Sequence, residues 1–144
     1  MILVVKSGGE AAVAEWREGF AAHAPQIDVR WWDDPSVPPE AVHYAVVWDP
    51  EPGRLAGFPR LKAIFGSGAG VDHIASDPRL PAGVPIARMV DPAMNEAMAE
   101  TALWATLALH RGFFTYAANQ RAGRWLPHAQ RRADEVPVLV LGYG

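Results

Sequence analysis

Five short apolar runs, each stopped by turn residues, constrain the fold of this 144-residue chain more than any other feature. ILVVK at 2–6 runs into Gly8-Gly9, and IDVRWW at 27–32 runs into the loop DDPSVPPEA. YAVVW at 44–48 is closed by Asp49-Pro50, LKAIF at 61–65 enters the glycine run GSGAG, and VPIARMV at 84–90 comes last. Runs this short and this rich in β-branched residues read as strands. ILVV and YAVV have no polar alternation, which suits strands buried on both faces. Between the first two runs, EAAVAEWREGFAAH places Val13, Trp16 and Phe20 on one helical stripe, and Pro25 stops it. Strands alternating with helices predict an α/β protein with a doubly wound parallel sheet. Pro85 assigns the last run to an edge. Ligands of such sheets sit beyond the carboxyl ends of the strands, and GSGAG lies at one of those ends.

The character changes at Pro92. AMNEAMAETALWATLALHR at 93–111 has apolar residues on nearly every face and reads as a helix buried on most sides. FFTYAANQRAGRW continues helically to Gly123, and VPVLVL at 136–141 reads as a further buried strand before Gly142-Tyr143-Gly144. Charge is uneven. Residues 1–100 hold 14 acids against 8 Lys/Arg, whereas 101–133 hold five arginines and no acid. The overall pI of about 5.9 argues against a nucleic-acid partner. No apolar stretch approaches the ~20 residues of a membrane span, and the charge order of MILVVKSGG is the reverse of a signal peptide, so a cytoplasmic protein is expected. The absence of cysteine excludes disulfides, thiolate catalysis and cysteine-metal sites.

In GSGAG, glycines at 66, 68 and 70 let a backbone turn through positive φ and let a ligand approach where no Cβ stands. Successive amides there can form an anion cradle, or the run can be a tight strand-to-helix turn and nothing more. It is not the dinucleotide fingerprint, because the sixth position falls on Val71 or His73. VLVLGYG is the first half of that fingerprint. An acid beside an imidazole can tune its pKa, so Asp72 and His73 invite a catalytic reading. Neighbouring residues need not face each other, however, and Asp72 reads rather as a helix cap and His73 as a surface residue. His23, His43, His110 and His128 lack metal-ligand spacing, and Ser67 lacks a nucleophile-elbow context. Met94 and Met98 fit a helix stripe and read as core.

Taken together, LKAIFGSGAGVDHI, NEAMAE at 95–100, RWLP at 124–127 and VLVLGYG resemble the D-isomer-specific 2-hydroxyacid dehydrogenases. GAGVDHIASDPRLP followed by ARMVDPAM is most similar to the glyoxylate/hydroxypyruvate reductase branch. The resemblance covers residues 2–144 but less than half of a full family member. It implies a flavodoxin-like substrate domain at 1–92, linking helices and a loop at 93–135, and the start of a truncated Rossmann domain binding NAD or NADP at 136–144.

The resemblance implies that the backbone amides of Ala69 and Gly70 hold the substrate carboxylate and that Trp48 lines the same pocket. Trp125 would reach across a homodimer toward the neighbour's pocket. Gly142, Gly144 and Met98 would lie on the cofactor side. Met94 stands where some members carry an asparagine near the nicotinamide. The catalytic histidine, its acidic partner and the substrate-binding arginine of the family have no counterpart within residues 1–144, so the chain alone is expected to be inactive. The implied reaction is reduction of a small 2-oxo acid to the 2-hydroxy acid. The competing reading is a free-standing, non-catalytic flavodoxin-like module that binds an anion, with neither a metal, a nucleic acid nor a membrane as partner.

Overall fold

A computed structural model describes residues 1–142. By backbone contacts the chain divides into two compact units, one from Met1 to Val90 and one from Asp91 onward.

The first unit contains β1 (Ile2–Lys6), α1 (Val13–His23), β2 (Asp28–Trp31), β3 (Val42–Val47), β4 (Ala63–Gly66), α2 (Asp72–Ala75) and β5 (Ile86–Arg88). The strands form one sheet in the order β2-β1-β3-β4-β5, and every neighbouring pair is parallel. This is the α/β doubly wound architecture expected from the sequence, with β5 on the edge. Leu3, Val4 and Val5 are all buried, as a strand flanked on both sides and covered on both faces requires. Alternation along β1 sends Leu3 and Val5 to a core with Val13, Val29 and Val46. Val4 goes to the opposite core with Trp32, Ala45, Val47, Ile64 and Ile74. Trp16 and Phe20 bring α1 onto the first core, as its stripe predicts, and the Arg17 Nε–H donates to the Val29 carbonyl at 2.9 Å.

The second unit contains α3 (Pro92–His110) and α4 (Phe113–Arg121). Asp91 caps α3, its carboxylate accepting from the Ala93 N–H at 2.9 Å, and Pro92 fills the first helical position, where a missing N–H is harmless. The helical run does not continue unbroken, because Gly112 adopts φ +69 and separates the two helices. Trp104 and Phe114 meet edge to face across that break, 6.1 Å between centroids.

Two expectations fail in this unit. The apolar faces of α3 are not buried: Leu103, Trp104, Leu107 and Leu109 are exposed, and Ala108 is its one buried residue. Apolar faces pointing in several directions need cover from several directions, and the described residues of the unit do not supply it. VPVLVL is not a strand, and Val138, Leu139, Val140 and Leu141 are exposed. A strand exists only through its ladder with a neighbour, and no described residue pairs with this segment.

Candidate functional site

The carboxyl ends of β1, β3 and β4 surround an open cleft of about 440 Å³ lined by Lys6, Ser7, Gly8, Gly9, Trp48 and Ser67, among others. Gly8 and Gly9 take φ +77 and +79, so the chain leaves β1 through a turn that a side chain would strain. Lys6 is committed to the cleft wall. Its Nζ donates to the Asp49 carbonyl at 2.9 Å and to Glu51 Oε1 at 2.5 Å. Glu51 also accepts from Trp32 Nε1 at 3.0 Å. The Lys6 hydrogen bond, before any other cause, holds the Glu51 carboxyl below its usual range. Asp49 sits at φ +49, the one left-handed non-glycine residue described. Lys6 thus fastens the loop that carries Trp48.

The glycine run works differently from the expectation. None of Gly66, Gly68 and Gly70 is left-handed. Space is what the first two supply. A Cβ on Gly66 would stand 3.3 Å from Val71 Cγ1 and 3.4 Å from Ile74 Cδ1, and a Cβ on Gly68 would collide with Cζ3 of the Trp48 indole. Gly70 is open, with Asp72 Oδ2 its nearest neighbour at 3.6 Å from such a Cβ. The Ser67 N–H donates to the Val47 carbonyl at 3.1 Å, and the Gly68 carbonyl accepts from the Met89 N–H at 3.1 Å. There the ladder ends. Ala69 and Gly70 are exposed, and among the described residues neither N–H has an acceptor. Two successive exposed amides with no internal partner can serve an anion.

Asp72 is not a cap. Val71 holds that position and Asp72 is the first residue of α2, with no side-chain capping bond. His73 is not a surface residue either. It is half-buried, and its ring packs on Trp48 at 4.6 Å between centroids, tilted by 45°.

The structure therefore brings Trp48, Ala69 and Gly70 to one end of one sheet. The other candidates lie in the second unit. Trp125 is 92% exposed, beside a cavity of about 540 Å³ that Tyr116, Gln120 and Leu126 help to line. Met98 is exposed rather than core, because the outer face of α3 is uncovered, whereas Met94 is half-buried. Gly142 takes φ +81, with open space where a side chain would point. Gly144 lies outside the described residues. Among those residues no cluster of three or more His, Asp or Glu side chains could hold a metal ion, and no helix is long and apolar enough to cross a membrane. Sequence reasoning missed the Ser7–Gly9 wall and the place of His73. Gly8-Gly9 carried the same strand-then-glycine signal as GSGAG, whereas nothing local marked His73.

No family model matches the chain. Known proteins do. The chain is 38% identical over 135 residues to glyoxylate/hydroxypyruvate reductase A of Serratia proteamaculans, covering 90% of this chain and 42% of that protein. The D-isomer-specific 2-hydroxyacid dehydrogenase of Xanthobacter autotrophicus Py2, solved in complex with NADPH and MES, superposes with a TM-score of 0.75. It is 36% identical and covers 94% of this chain and 44% of its own. Over nine-tenths of its length the chain is similar to D-isomer-specific 2-hydroxyacid dehydrogenases. A second similar structure is the NADPH-dependent glyoxylate/hydroxypyruvate reductase of Sinorhizobium meliloti, in complex with NADP and sulfate. It has a TM-score of 0.74 at 29% identity, covering 94% of this chain and 43% of its own. The chain spans less than half the length of the curated relatives it matches.

Proposed function

We propose that residues 1–90 bind the carboxylate of a small 2-oxo acid, of the glyoxylate or hydroxypyruvate type, for an NAD(P)H-dependent reductase. The observation that carries this reading is the pair of exposed, unpaired amides of Ala69 and Gly70 at the carboxyl end of β4, beside a cleft walled by Trp48. Amide dipoles hold a carboxylate without adding a second full charge, and the Trp48 indole gives the carbon skeleton an apolar wall. The relatives' names supply the substrate class, and NADPH or NADP in the structural neighbours favours the phosphorylated cofactor.

Gly142, left-handed and open, fits the close approach of a cofactor phosphate, and Met98 is assigned to the cofactor as well. Bound NADPH would supply the hydride to the substrate carbonyl carbon. The proton donor is assigned to no residue of this chain, so 1–144 alone should not oxidise NADPH with glyoxylate. Trp125 and the bare apolar faces of α3 are assigned to contact with a second copy of the chain.

The test is a titration of isotope-labelled chain with glyoxylate, using glycolaldehyde, which lacks the carboxylate, as control. The Ala69 and Gly70 amide resonances should shift with glyoxylate alone. Equal shifts with both compounds, or none with glyoxylate, would remove the cradle. Glyoxylate binding by a whole protein that never oxidises NADPH would favour the non-catalytic anion-binding module.

A further inference from the structure

We infer that His73 is a positioning residue for Trp48, fixing the indole as the wall that sets how large a 2-oxo acid the cleft admits. The inference rests on the carboxylate cradle proposed above.

Trp48 is confined from three directions. Its N–H donates to the Lys6 carbonyl at 3.0 Å, which registers its backbone at the end of β3. The Gly68 backbone lies against the indole so closely that a Cβ would overlap Cζ3 and stand 3.1 Å from Cε3. The His73 ring packs on the indole at 4.6 Å, tilted by 45°. Trp48 is still 54% exposed, and it lines the cleft with Ser67 and the Gly8–Gly9 turn.

The imidazole is an unexpected choice for this contact. Its Nε2 is buried and has no hydrogen-bond partner among the described residues. A leucine or phenylalanine would pack there without leaving a buried polar atom unsatisfied. The contact is therefore made by ring packing and not by an Nε2 hydrogen bond. Its neighbour Ile74 is fully buried, which anchors the α2 turn that presents the ring. The imidazole ring and the Gly68 backbone both bear on the indole and restrict its orientation. A change at residue 73 alters the cleft without touching the substrate.

The experiment uses the full chain with His73→Ala, His73→Phe and Trp48→Phe, the last assigning the Trp48 indole N–H resonance. His73→Ala should move that resonance and narrow the difference in affinity between glyoxylate and hydroxypyruvate by about tenfold, the scale on which pocket shape discriminates. His73→Phe keeps the stack and should restore both. Circular dichroism and thermal melting establish that each variant is folded, and His73→Phe, which removes the orphaned nitrogen, guards against an unfolded alanine variant. An unmoved Trp48 resonance in His73→Ala overturns the inference. So does a His73→Phe variant that behaves like the alanine one, since the residue would then act through its nitrogen. If the wild-type chain binds neither acid but the resonance moves as expected, the cradle fails, whereas His73 still positions Trp48.

Discussion

The two units of this chain are built from similarly apolar sequence and end in opposite states. Among the described residues, every buried hydrophobic residue except Ala108 lies before Val90. Leu55, Ile64 and Ile74 are fully enclosed there, while beyond Asp91 Leu103, Leu107, Leu109, Leu139 and Leu141 all face outward. Hydrophobic content does not distinguish the two. What distinguishes them is the parallel ladder, which gathers residues from across 2–88 around one sheet. Two helices and an unpaired segment offer each other too little surface. A sequence states which faces need cover, but a face is buried only where a partner closes over it.

The sharpest way to break this contrast is by truncation. Leu55→Ala should cost about 2–5 kcal/mol in urea unfolding, the range for emptying a closed core site. Leu109→Ala, at 71% exposure, should stay within about 0.5 kcal/mol. Equal costs would mean that α3 is covered in solution. If a second copy provides that cover, Trp125→Ala should weaken self-association by about 2 kcal/mol, as loss of an aromatic anchor does. Light scattering over a concentration series measures it, and an unchanged molar mass would leave Trp125 without that role.

A third change asks whether the chemistry sits on the unit that has the core. Gly70→Val places its side chain in open space. The melting temperature should hold while glyoxylate binding falls about tenfold, or about 1.4 kcal/mol. Unaltered affinity would move the cradle elsewhere.

The smallest effect is electrostatic. Glu51 is held below its ordinary 4.5, first by the Lys6 hydrogen bond. Asp77 is held below 3.8, first by the Gly53 N–H and then by that of Arg79. A carboxyl lowered in the folded state stabilises the fold above its unfolded pKa and loses that contribution as pH falls through the folded one. Glu51→Gln should therefore flatten part of the decline in melting temperature below about pH 4.5, leaving the Asp77 part. A decline of unchanged steepness would show that the Lys6–Glu51 pair adds nothing to stability.

Much of the first unit was legible because its signals are local. A β-branched run, a proline at 85 and a stripe of Val13, Trp16 and Phe20 each declare their element within a few residues. The glycine run was legible as a special loop but not for its reason. Positive φ was the local inference, whereas Gly68 is small because Trp48 crosses it from another strand end. His73 escaped for the same cause, since its partner is set by the β3–β4 pairing. VPVLVL shows the converse. Its residues favour a strand strongly, yet strand propensity is mostly the fit of side chains to neighbours, and no described residue is its neighbour.

The interior position of β1 has a kinetic consequence. It pairs with β2 through Leu3 and Val29 and with β3 through Leu3 and Tyr44, and both partners are synthesised after it. Loop closure must precede every one of those hydrogen bonds, and pairings this distant in sequence slow folding. Until Val47 has left the ribosome, ILVV is an apolar, uncharged, strand-prone segment with its β3 edge open, the composition that nascent chains aggregate through. Of the interior strands, β1 is thus the one that waits through the longest stretch of synthesis for its second edge to be covered.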